Sequence, residues 1–488
     1  MDYPEFLGAP SEVPGRPERQ RPAWLRRHPQ QYWFAVGAVC LGALMSQLDT
    51  GMVTVAYPTL HRAFRVPVST VVWVGLSMLL TVVATLVAFG KRADMWGRKR
   101  VYVDGFVVFI LGAVAAAFSQ SFAWLIVARV VEGVGVAMVQ ANSVALVTAS
   151  VPRDKRAAAL GLQGTAQAAG LALGPLVGGL VLAELSWRWL FVAAVPVALL
   201  ALPAAVLFLP RSRDLRPLVR LDLVGAALIG VAAVGVIGGC TVGARAGWHW
   251  SAAVLLGCGA LAAIALVPVE RRIANPLLDV RTLRDRRVAS GLVTATLIYL
   301  AFFGALVATP FFVEALGHST TVAGIVTMAL PVGLAVVAPF AGILRRHVVE
   351  RTAIPVAFVV IAAGLACAAR SSELGVIAAG LFAAGVGLGI ANTMNNVSIM
   401  EGVAAADRGS ASALVNMVRA LGTALGLALV TTMLSALGGP HGVTGPRAAL
   451  TALVIVPLVS AAVCFAVLPS KSPKPPVRSR GPSTVEGG

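Results

Sequence analysis

Apolar residues run along this chain in long blocks that are separated by short polar stretches. Each block has about 18–25 residues, which is the length a helix needs to cross the roughly 30 Å hydrocarbon core of a bilayer. The pattern therefore predicts an all-α polytopic membrane protein with fourteen transmembrane helices. The predicted spans are residues 33–58, 68–89, 101–120, 122–148, 157–183, 188–209, 222–244, 249–269, 288–312, 320–344, 352–369, 374–400, 409–436 and 448–468.

Composition and charge placement agree with this prediction and add a topology. The chain is 58% hydrophobic and only 12% charged, whereas about a quarter of the residues of a soluble protein are charged. The net charge of +18 does not indicate nucleic-acid binding, because nearly all of the 39 lysines and arginines fall in the tails and in loops on one side of the membrane. The other side carries only Arg62, Arg65, Arg188, Arg245, Arg370 and Arg447. The positive-inside rule then places both termini of this multi-pass protein in the cytoplasm, with the cytoplasmic membrane as its location.

The sequence shows no pattern typical of a metal site, a cofactor site or a catalytic centre. The five cysteines lie within apolar spans, and the six histidines have no metal-ligand spacing. No nucleotide loop or nucleophile–base arrangement is found, so a membrane-embedded enzyme or sensor is the less favoured class of function. The polar, Pro-rich ends at 1–32 and 469–488 have the composition of disordered cytoplasmic tails.

Two parts of the chain resemble each other at a constant offset of 252 residues. EGVGVAMVQANSV (132–144) aligns without gaps with AGVGLGIANTMNN (384–396), and the same offset takes Gly170 to Gly422. A duplication predicts two six-helix bundles with a central cleft, as in alternating-access transporters, whereas chance similarity between Gly/Ala-rich helices is the alternative. The predicted units are a six-helix bundle at 33–209, a linker with two inserted spans at 210–287 and a second six-helix bundle at 288–468.

Two motifs stand out in the first predicted bundle. The stretch GKRADMWGRKR after the second span combines turn-forming glycines, one acid and a basic cluster, and we expect it to form a loop that latches one bundle against the other. Its key residues are Gly90, Asp94, Gly97, Arg98, Lys99 and Arg100. The fifth span contains GLALGPLVGG, whose glycines at four-residue spacing leave a smooth strip that allows another helix to approach closely. Its key residues are Gly170, Gly174, Pro175, Gly178 and Gly179.

Together with LDTGMVTVAYP (48–58) in the first span, these stretches resemble the major facilitator superfamily, in particular its fourteen-span drug/proton antiporters. The chain departs from the family's loop motif at Arg92 and Met95, but matches the antiporter motif G-x-x-x-G-P-x-x-G-G at every fixed position. The resemblance implies export of amphipathic drugs or antibiotics in exchange for protons, driven by the proton gradient without a cofactor. We expect a monomer to be functional. A carrier of the same fold for one specific metabolite or nutrient is the nearest alternative.

Charged residues also lie inside the predicted spans, where each costs several kcal/mol unless it has a partner. Arg129 and Glu132 are three residues apart on the fourth span and are therefore neighbours, and Asp49 on the first span lies at a similar depth. The family usually has Gln at position 132, so the resemblance covers Arg129 but not Glu132. Burial favours a protonated carboxyl group and a nearby arginine favours an ionised one. We hypothesise that Asp49 and Glu132 exchange protons in the cleft while Arg129 biases their protonation; a purely structural ion pair is the alternative.

Further polar residues fall on helix faces that we expect to line a substrate cavity. At about 100° per residue, Gln140 and Ser143 share the face of Glu132 on the fourth span, and the offset of 252 leads from them to Asn392 and Asn395. The full set of cavity candidates is Gln140, Ser143, Gln163, Gln167, Glu314, Asn392, Asn395, Asn396 and Arg419. Hydrogen bonding between helices is an equally good interpretation of Gln163 and Gln167, and an ordinary interfacial charge is the favoured one for Glu314.

Overall fold

A computed structural model of the chain describes residues 30–152, 155–210, 250–272, 286–337, 350–401, 408–437 and 442–467, with isolated positions between 225 and 242. Residues 1–29 of the first predicted tail, the whole second tail at 469–488, most of the predicted linker and most of the span 222–244 lie outside the described residues. Every regular element that the described residues form is a helix. Eleven of these helices are long and apolar enough to cross a membrane, and Trp250–Ala262 and Val418–Leu434 are shorter apolar stretches.

The helices follow the predicted spans closely. The first half of the chain forms α1 (Gln31–Phe64), α2 (Val68–Val71), α3 (Trp73–Trp96), α4 (Arg98–Ala117), α5 (Phe122–Ser150), α6 (Arg156–Glu184), α7 (Arg188–Val192) and α8 (Val195–Phe208). Helix α9 (Trp250–Arg272) lies in the predicted linker. The second half forms α10 (Arg286–Ala315), α11 (Thr320–Val337), α12 (Glu350–Arg370), α13 (Leu374–Glu401), α14 (Arg408–Ala436) and α15 (Thr444–Val467). The prediction of an all-α polytopic protein is confirmed.

The expected loop at 90–100 is wrong, because nearly all of it is helical. Helix α3 continues to Trp96 and α4 begins at Arg98, so that Gly97 alone separates them. Gly97 has φ 102°, a left-handed conformation that glycine adopts without a steric penalty. The sixth predicted span is broken into α7 and α8 just before Pro196, which has no N–H to donate to a continuing helix.

The offset of 252 residues found in the sequence also relates the helix packing of the two halves. Helix α1 packs along α6, and α10 packs along α14. In each pair, two glycines lie directly against backbone carbonyl groups of the other helix. The contacts are Gly170 with the oxygen of Leu44, Gly174 with that of Leu48, Gly422 with that of Thr296 and Gly426 with that of Leu300. Both members of each contact in the second half stand 252 positions after their counterparts, so the same helix pair is built twice.

Among the described residues, the contacts between the two halves lie at one end of the molecule. Helix α6 packs on α11, where Gly179 and Pro175 lie against Gly324, while α1 contacts α10 and α14 contacts α2 and α3. Toward the other end of α6, Gly161 lies five turns before Gly179 on the same face of the helix. Gly164 lies about 20° from Pro175 around the axis of the same helix. A Cβ on either of these two glycines would meet nothing within 4 Å. We call the end with Gly179 the closed end, the end with Gly161 the open end, and the space between the halves the cleft.

Candidate functional site

Three buried charges form one cluster in the first half. Arg129 on α5 donates from Nη1 to Asp49 Oδ1 at 3.1 Å and from Nη2 to Asp49 Oδ2 at 3.0 Å, a two-pronged pair between α5 and α1. Its Nη1 also donates to Glu132 Oε2 at 2.7 Å. The side chain of Arg129 is 1% exposed, and those of Asp49 and Glu132 are fully buried. The sequence-based expectation that these three residues meet therefore agrees with the geometry.

Small residues on the neighbouring helices bring the cluster together. Helix α5 begins after Ser121, whose Oγ accepts a hydrogen bond from the Trp124 N–H. About three helical turns after Ser121, Glu132 faces Gly112 of α4, and a Cβ added at Gly112 would lie 2.6 Å from the Glu132 backbone nitrogen. A Cβ at Gly133 would lie 2.8 Å from the carbonyl oxygen of Met78 on α3. These two glycines therefore allow α4 and α3 to approach α5 closely on both sides of Glu132.

Arg129 also connects the cluster to α3. Its Nε donates to the Val74 carbonyl oxygen at 3.1 Å, and Met78 Sδ accepts from Nη2 at 2.7 Å. Its guanidinium carbon lies 5.6 Å from the centre of the Phe191 ring on α7. One side chain thus joins α1, α3 and α5, and its contacts with Asp49 and Glu132 compete for the same guanidinium group.

The cluster is sealed inside the first half and does not lie on the wall of the cleft. On α1, Gln47 is half-buried, whereas Asp49 follows two residues later and so points about 160° away from it. Every partner of Arg129 described above lies on a helix of the first half. This corrects the expectation that the two acids lie in the cleft, and the physical reason is that polar side chains at this depth found partners within one bundle.

Three of the expected cavity residues are buried within the helix bundles. Ser143 is buried and donates to the Val139 carbonyl oxygen of its own helix at 2.8 Å. Asn395 is buried and donates across helices to the Gly291 carbonyl oxygen at 2.9 Å. Gln163 is also buried. These side chains do not line the cleft, because each lies below the molecular surface.

Other cavity candidates are partly exposed in the second half. Arg419 on α14 donates from Nη2 to Asn396 Oδ1 at 2.7 Å, and Asn396 Nδ2 donates to Asn392 Oδ1 at 3.5 Å. The guanidinium carbon of Arg419 lies 5.2 Å from the centre of the Tyr299 ring on α10. These four side chains and those of Gln140 and Gln167 in the first half are half-buried. The sequence patterns indicated Arg419 and the two asparagines as cavity candidates, but they did not indicate Tyr299.

The residues of the cytoplasmic-loop motif make their described contacts within the first half. Asp94 pairs with Arg98 at 2.8 Å, and the buried Lys99 donates from Nζ to the Leu209 carbonyl oxygen at 3.0 Å. The guanidinium carbon of Arg92 lies 3.6 Å from the centre of the Trp96 ring. The remaining motif positions are Gly90, which has open space around its α-carbon, Gly97 between the two helices, and Arg100, which lies 3.9 Å from Asp104. A latch between the bundles at this motif stays a prediction.

The residues of the antiporter motif contact two different helices from two faces of α6. Gly170, Gly174 and Gly178 lie against α1, and a Cβ on Gly178 would be 3.0 Å from the Met52 carbonyl oxygen. Pro175 and Gly179 lie instead against α11 of the other half. The sequence predicted the smooth strip for one helix partner, and the second partner in the opposite half was not foreseen.

An ion pair bridges the halves at the closed end. Arg62 Nη2 of α1 lies 3.1 Å from Glu314 Oε2 of α10, and Thr320 Oγ1 donates to Glu314 Oε1 at 3.3 Å. The sequence pattern indicates only a loop charge at Arg62 and does not predict this partner. The signal was nevertheless present, because positions 62 and 314 are separated by the same 252 residues. Equivalent positions of two repeats can meet only beside the axis that relates them, so this pair marks that axis.

The family and the relatives of the chain agree with this architecture. A model of the Major Facilitator Superfamily matches residues 39–221, 223–427 and 291–486. Two of these matches begin at positions 39 and 291, which again differ by 252.

Similar proteins include several membrane transporters. Multidrug resistance protein Stp of Mycobacterium tuberculosis is 31% identical over 406 residues, which are 82% of this chain and 75% of Stp. Puromycin resistance protein pur8 of Streptomyces alboniger is 30% identical over 411 residues, 82% of this chain and 81% of pur8. Riboflavin transporter RibZ of Clostridioides difficile is 26% identical over 410 residues, 83% of this chain and 88% of RibZ.

A solved structure shares the fold. It is a bacterial homologue of the human lysosomal transporter Spinster in an inward-facing and unoccupied conformation, with a TM-score of 0.66 and 16% identity, covering 90% of this chain and 97% of that one. The family consists of transporters, so the prediction that the chain is not an enzyme is confirmed. The chain belongs to the major facilitator superfamily and is a multi-pass membrane transporter.

Proposed function

We propose that the protein is a proton-coupled exporter of amphipathic drugs or antibiotics, of the fourteen-span drug/proton antiporter type. The observation that carries this proposal is the buried cluster, in which two carboxyl groups surround one guanidinium. With all three groups ionised the cluster holds one negative charge in excess, and an uncompensated charge is costly in a medium of low dielectric constant. Uptake of one proton makes the cluster neutral.

The proton belongs on Glu132 in this conformation. Both carboxyl oxygens of Asp49 accept hydrogen bonds from Arg129, whereas Glu132 Oε1 has no hydrogen-bond partner among the described residues. Protonation at Oε1 therefore breaks none of the contacts described above. Loss of that proton adds a second full charge beside Arg129 and strengthens the pull of Glu132 on the guanidinium at the expense of Asp49.

The cluster is connected to the contact between the halves through α3. Arg129 holds the Val74 carbonyl oxygen near the start of α3, and α3 and the adjoining α2 contact α14 of the other half. A change in how Arg129 divides its hydrogen bonds between α1 and α5 therefore moves α3 relative to α14. Proton uptake and release thus bias the equilibrium between closure at one end of the cleft and closure at the other.

The side of the membrane to which the open end faces follows from charge bias. The open end carries the basic residues of the loop motif and of the start of α6, which the positive-inside rule assigns to the cytoplasm. Substrate then enters the cleft from the cytoplasm in the conformation described here. The relatives named for multidrug and puromycin resistance support export and the class of substrate.

The test is transport in proteoliposomes with an imposed pH gradient, using a panel of dyes and antibiotics. Glu132→Gln and Asp49→Asn should bind substrate and exchange it across the membrane without a gradient, but should lose accumulation driven by the pH gradient. Asp104→Asn is the matched control, since its carboxylate on α4 is 52% exposed and outside the cluster. Accumulation by Glu132→Gln at the wild-type level would refute the coupling role and leave Glu132 as part of a structural ion pair.

A carrier for one metabolite is the second candidate, favoured by the similarity to the riboflavin transporter RibZ. The same panel separates the two candidates when riboflavin and related vitamins are included. A drug exporter should move several unrelated amphipathic compounds, whereas transport of a single metabolite and no drug would support the second candidate.

A further inference from the structure

One stripe on α10 faces the first half across the cleft. At the closed end Glu314 on this helix reaches Arg62 of α1. Phe303 and Tyr299 stand 11 and 15 residues before Glu314, which places them about 20° and 60° from it around the helix and about 17 and 23 Å along it. The half-buried rings of Tyr299 and Phe303 therefore point toward the cleft on the open side of the closed end.

The rings and the neighbouring polar groups form one patch. Tyr299 and Phe303 are stacked, with centroids 6.2 Å apart and an angle of 26° between their planes. Arg419 lies over Tyr299 at 5.2 Å and contacts Asn396, which contacts Asn392. We call these five half-buried residues the Arg419 patch. It offers a flat apolar surface beside a cation and two amide groups.

The opposite wall of the cleft is neutral at the equivalent positions. The offset of 252 relates Tyr299 to Gln47 and Arg419 to Gln167, and both glutamines are half-buried. The acids at middle depth in the described part of the first half, Asp49 and Glu132, are fully buried. A molecule in the cleft therefore meets a guanidinium and amides, but is separated from the carboxyl groups by protein.

We propose that the Arg419 patch is the substrate subsite and that it selects aromatic compounds that carry an acidic group. A carboxylate accepts two parallel hydrogen bonds from a guanidinium, and the asparagine amides supply further donors beside it. A planar ring system attached to that carboxylate packs on Tyr299 and Phe303. This inference rests on the proposed transport function for the use of the site, but its test measures binding alone.

The probes are two dyes with the same three-ring core and opposite charge, the anion carboxyfluorescein and the cation rhodamine 6G. Binding to the full chain in nanodiscs of neutral lipid is followed by fluorescence anisotropy, without a pH gradient. The wild-type protein should bind the anion about tenfold more tightly than the cation, as expected for a charge-assisted, two-pronged contact. A stronger affinity for the cation, equal affinities or no saturable binding of the anion would overturn the proposal.

The variants identify the residues. Arg419→Gln installs the residue that the repeat has at position 167, and it should weaken anion binding about tenfold while leaving cation binding unchanged. Arg419→Lys should lie between, since lysine keeps the charge but lacks the planar fork. Tyr299→Leu should weaken both dyes, because stacking does not depend on their charge.

Arg370→Gln, which removes an exposed cation at the end of α12, is the control and should bind as wild type. Equal losses for both dyes in Arg419→Gln and in Arg419→Lys would mean that Arg419 acts only in packing, and this result would refute the inference. Coupled transport of other compounds without anion selectivity would refute this inference and leave the proposed function intact. Anion binding without coupled transport would do the reverse.

Discussion

Gly324 on α11 is the point where the smallest change should alter the conformation of the whole molecule. A Cβ at this position would collide with the Pro175 carbonyl oxygen and would lie 3.2 Å from both the Pro175 carbonyl carbon and Gly179 Cα. All three atoms belong to the backbone of α6, so no side-chain rotation relieves the contact. In Gly324→Ala the two helices must therefore separate at the closed end.

The size of the effect follows from the cost of overpacking, about 1–3 kcal/mol. Since 1.4 kcal/mol is a factor of ten, the ratio of closed to separated molecules at this end should fall about 5- to 150-fold. Spin labels at Ala63, near the end of α1, and His318, before α11, report this separation by pulsed electron resonance in a cysteine-free background. The labelled variant should gain a population with a longer distance.

Gly164→Ala is the matched control, because it adds the same methyl group to α6 at a position with nothing within 4 Å. It should leave the distance distribution unchanged in this conformation. If Gly324→Ala folds and also leaves the distribution unchanged, the contact between α6 and α11 does not hold the closed end together, and the packing argument fails.

Three further predictions concern the cluster and the ion pair. Gly112→Ala should lower the apparent unfolding temperature, because its methyl group would meet the backbone of Glu132 at a cost of about 1–3 kcal/mol. Gly37→Ala is the control and should not lower it, because Gly37 has open space around it. Equal unfolding temperatures of the two variants would contradict the packing of Gly112 against α5. Glu314→Gln should change the closed-end distance little, since Arg62 is 54% exposed and such pairs contribute about 0–1 kcal/mol. Arg62→Glu should open the closed end, because two glutamates would repel each other there. The double variant Arg62→Glu/Glu314→Arg should close it again, and the same spin labels measure both distances. A double variant that does not recover the short distance would contradict a direct ion pair.

Much of the fold was predictable because it depends on local pattern. Apolar length sets the spans, the glycine spacing in α6 sets its close approach to α1, and a repeat offset visible at Gly170 and Gly422 also governs their helix contacts. The motif around Gly97 was placed correctly but assigned to a loop, because polar residues at 90–100 indicate only that the segment leaves the hydrocarbon and not that its helices end there.

The site was predictable in part. Arg129 and Glu132 are neighbours on one helix, and Asp49 was expected near them because it lies at a similar depth on the first span. The sequence does not indicate which face of α1 points toward the cleft. The acids were therefore expected on the cleft wall, whereas they lie inside the first half. The contact of Arg419 with Tyr299 depends on the packing of two helices whose residues are more than a hundred positions apart, and no periodicity within either helix encodes it.

The bridge between Arg62 and Glu314 illustrates what fusion of two repeats allows that a dimer of identical units does not. In an assembly of two identical six-helix units, a residue next to the symmetry axis faces its own copy, so an arginine there would oppose an arginine and a glutamate a glutamate. Joining the two units in one gene product frees each copy of the position to change by itself. An attractive ion pair between equivalent positions on the axis can therefore form in the fused protein, but not in a dimer of identical halves.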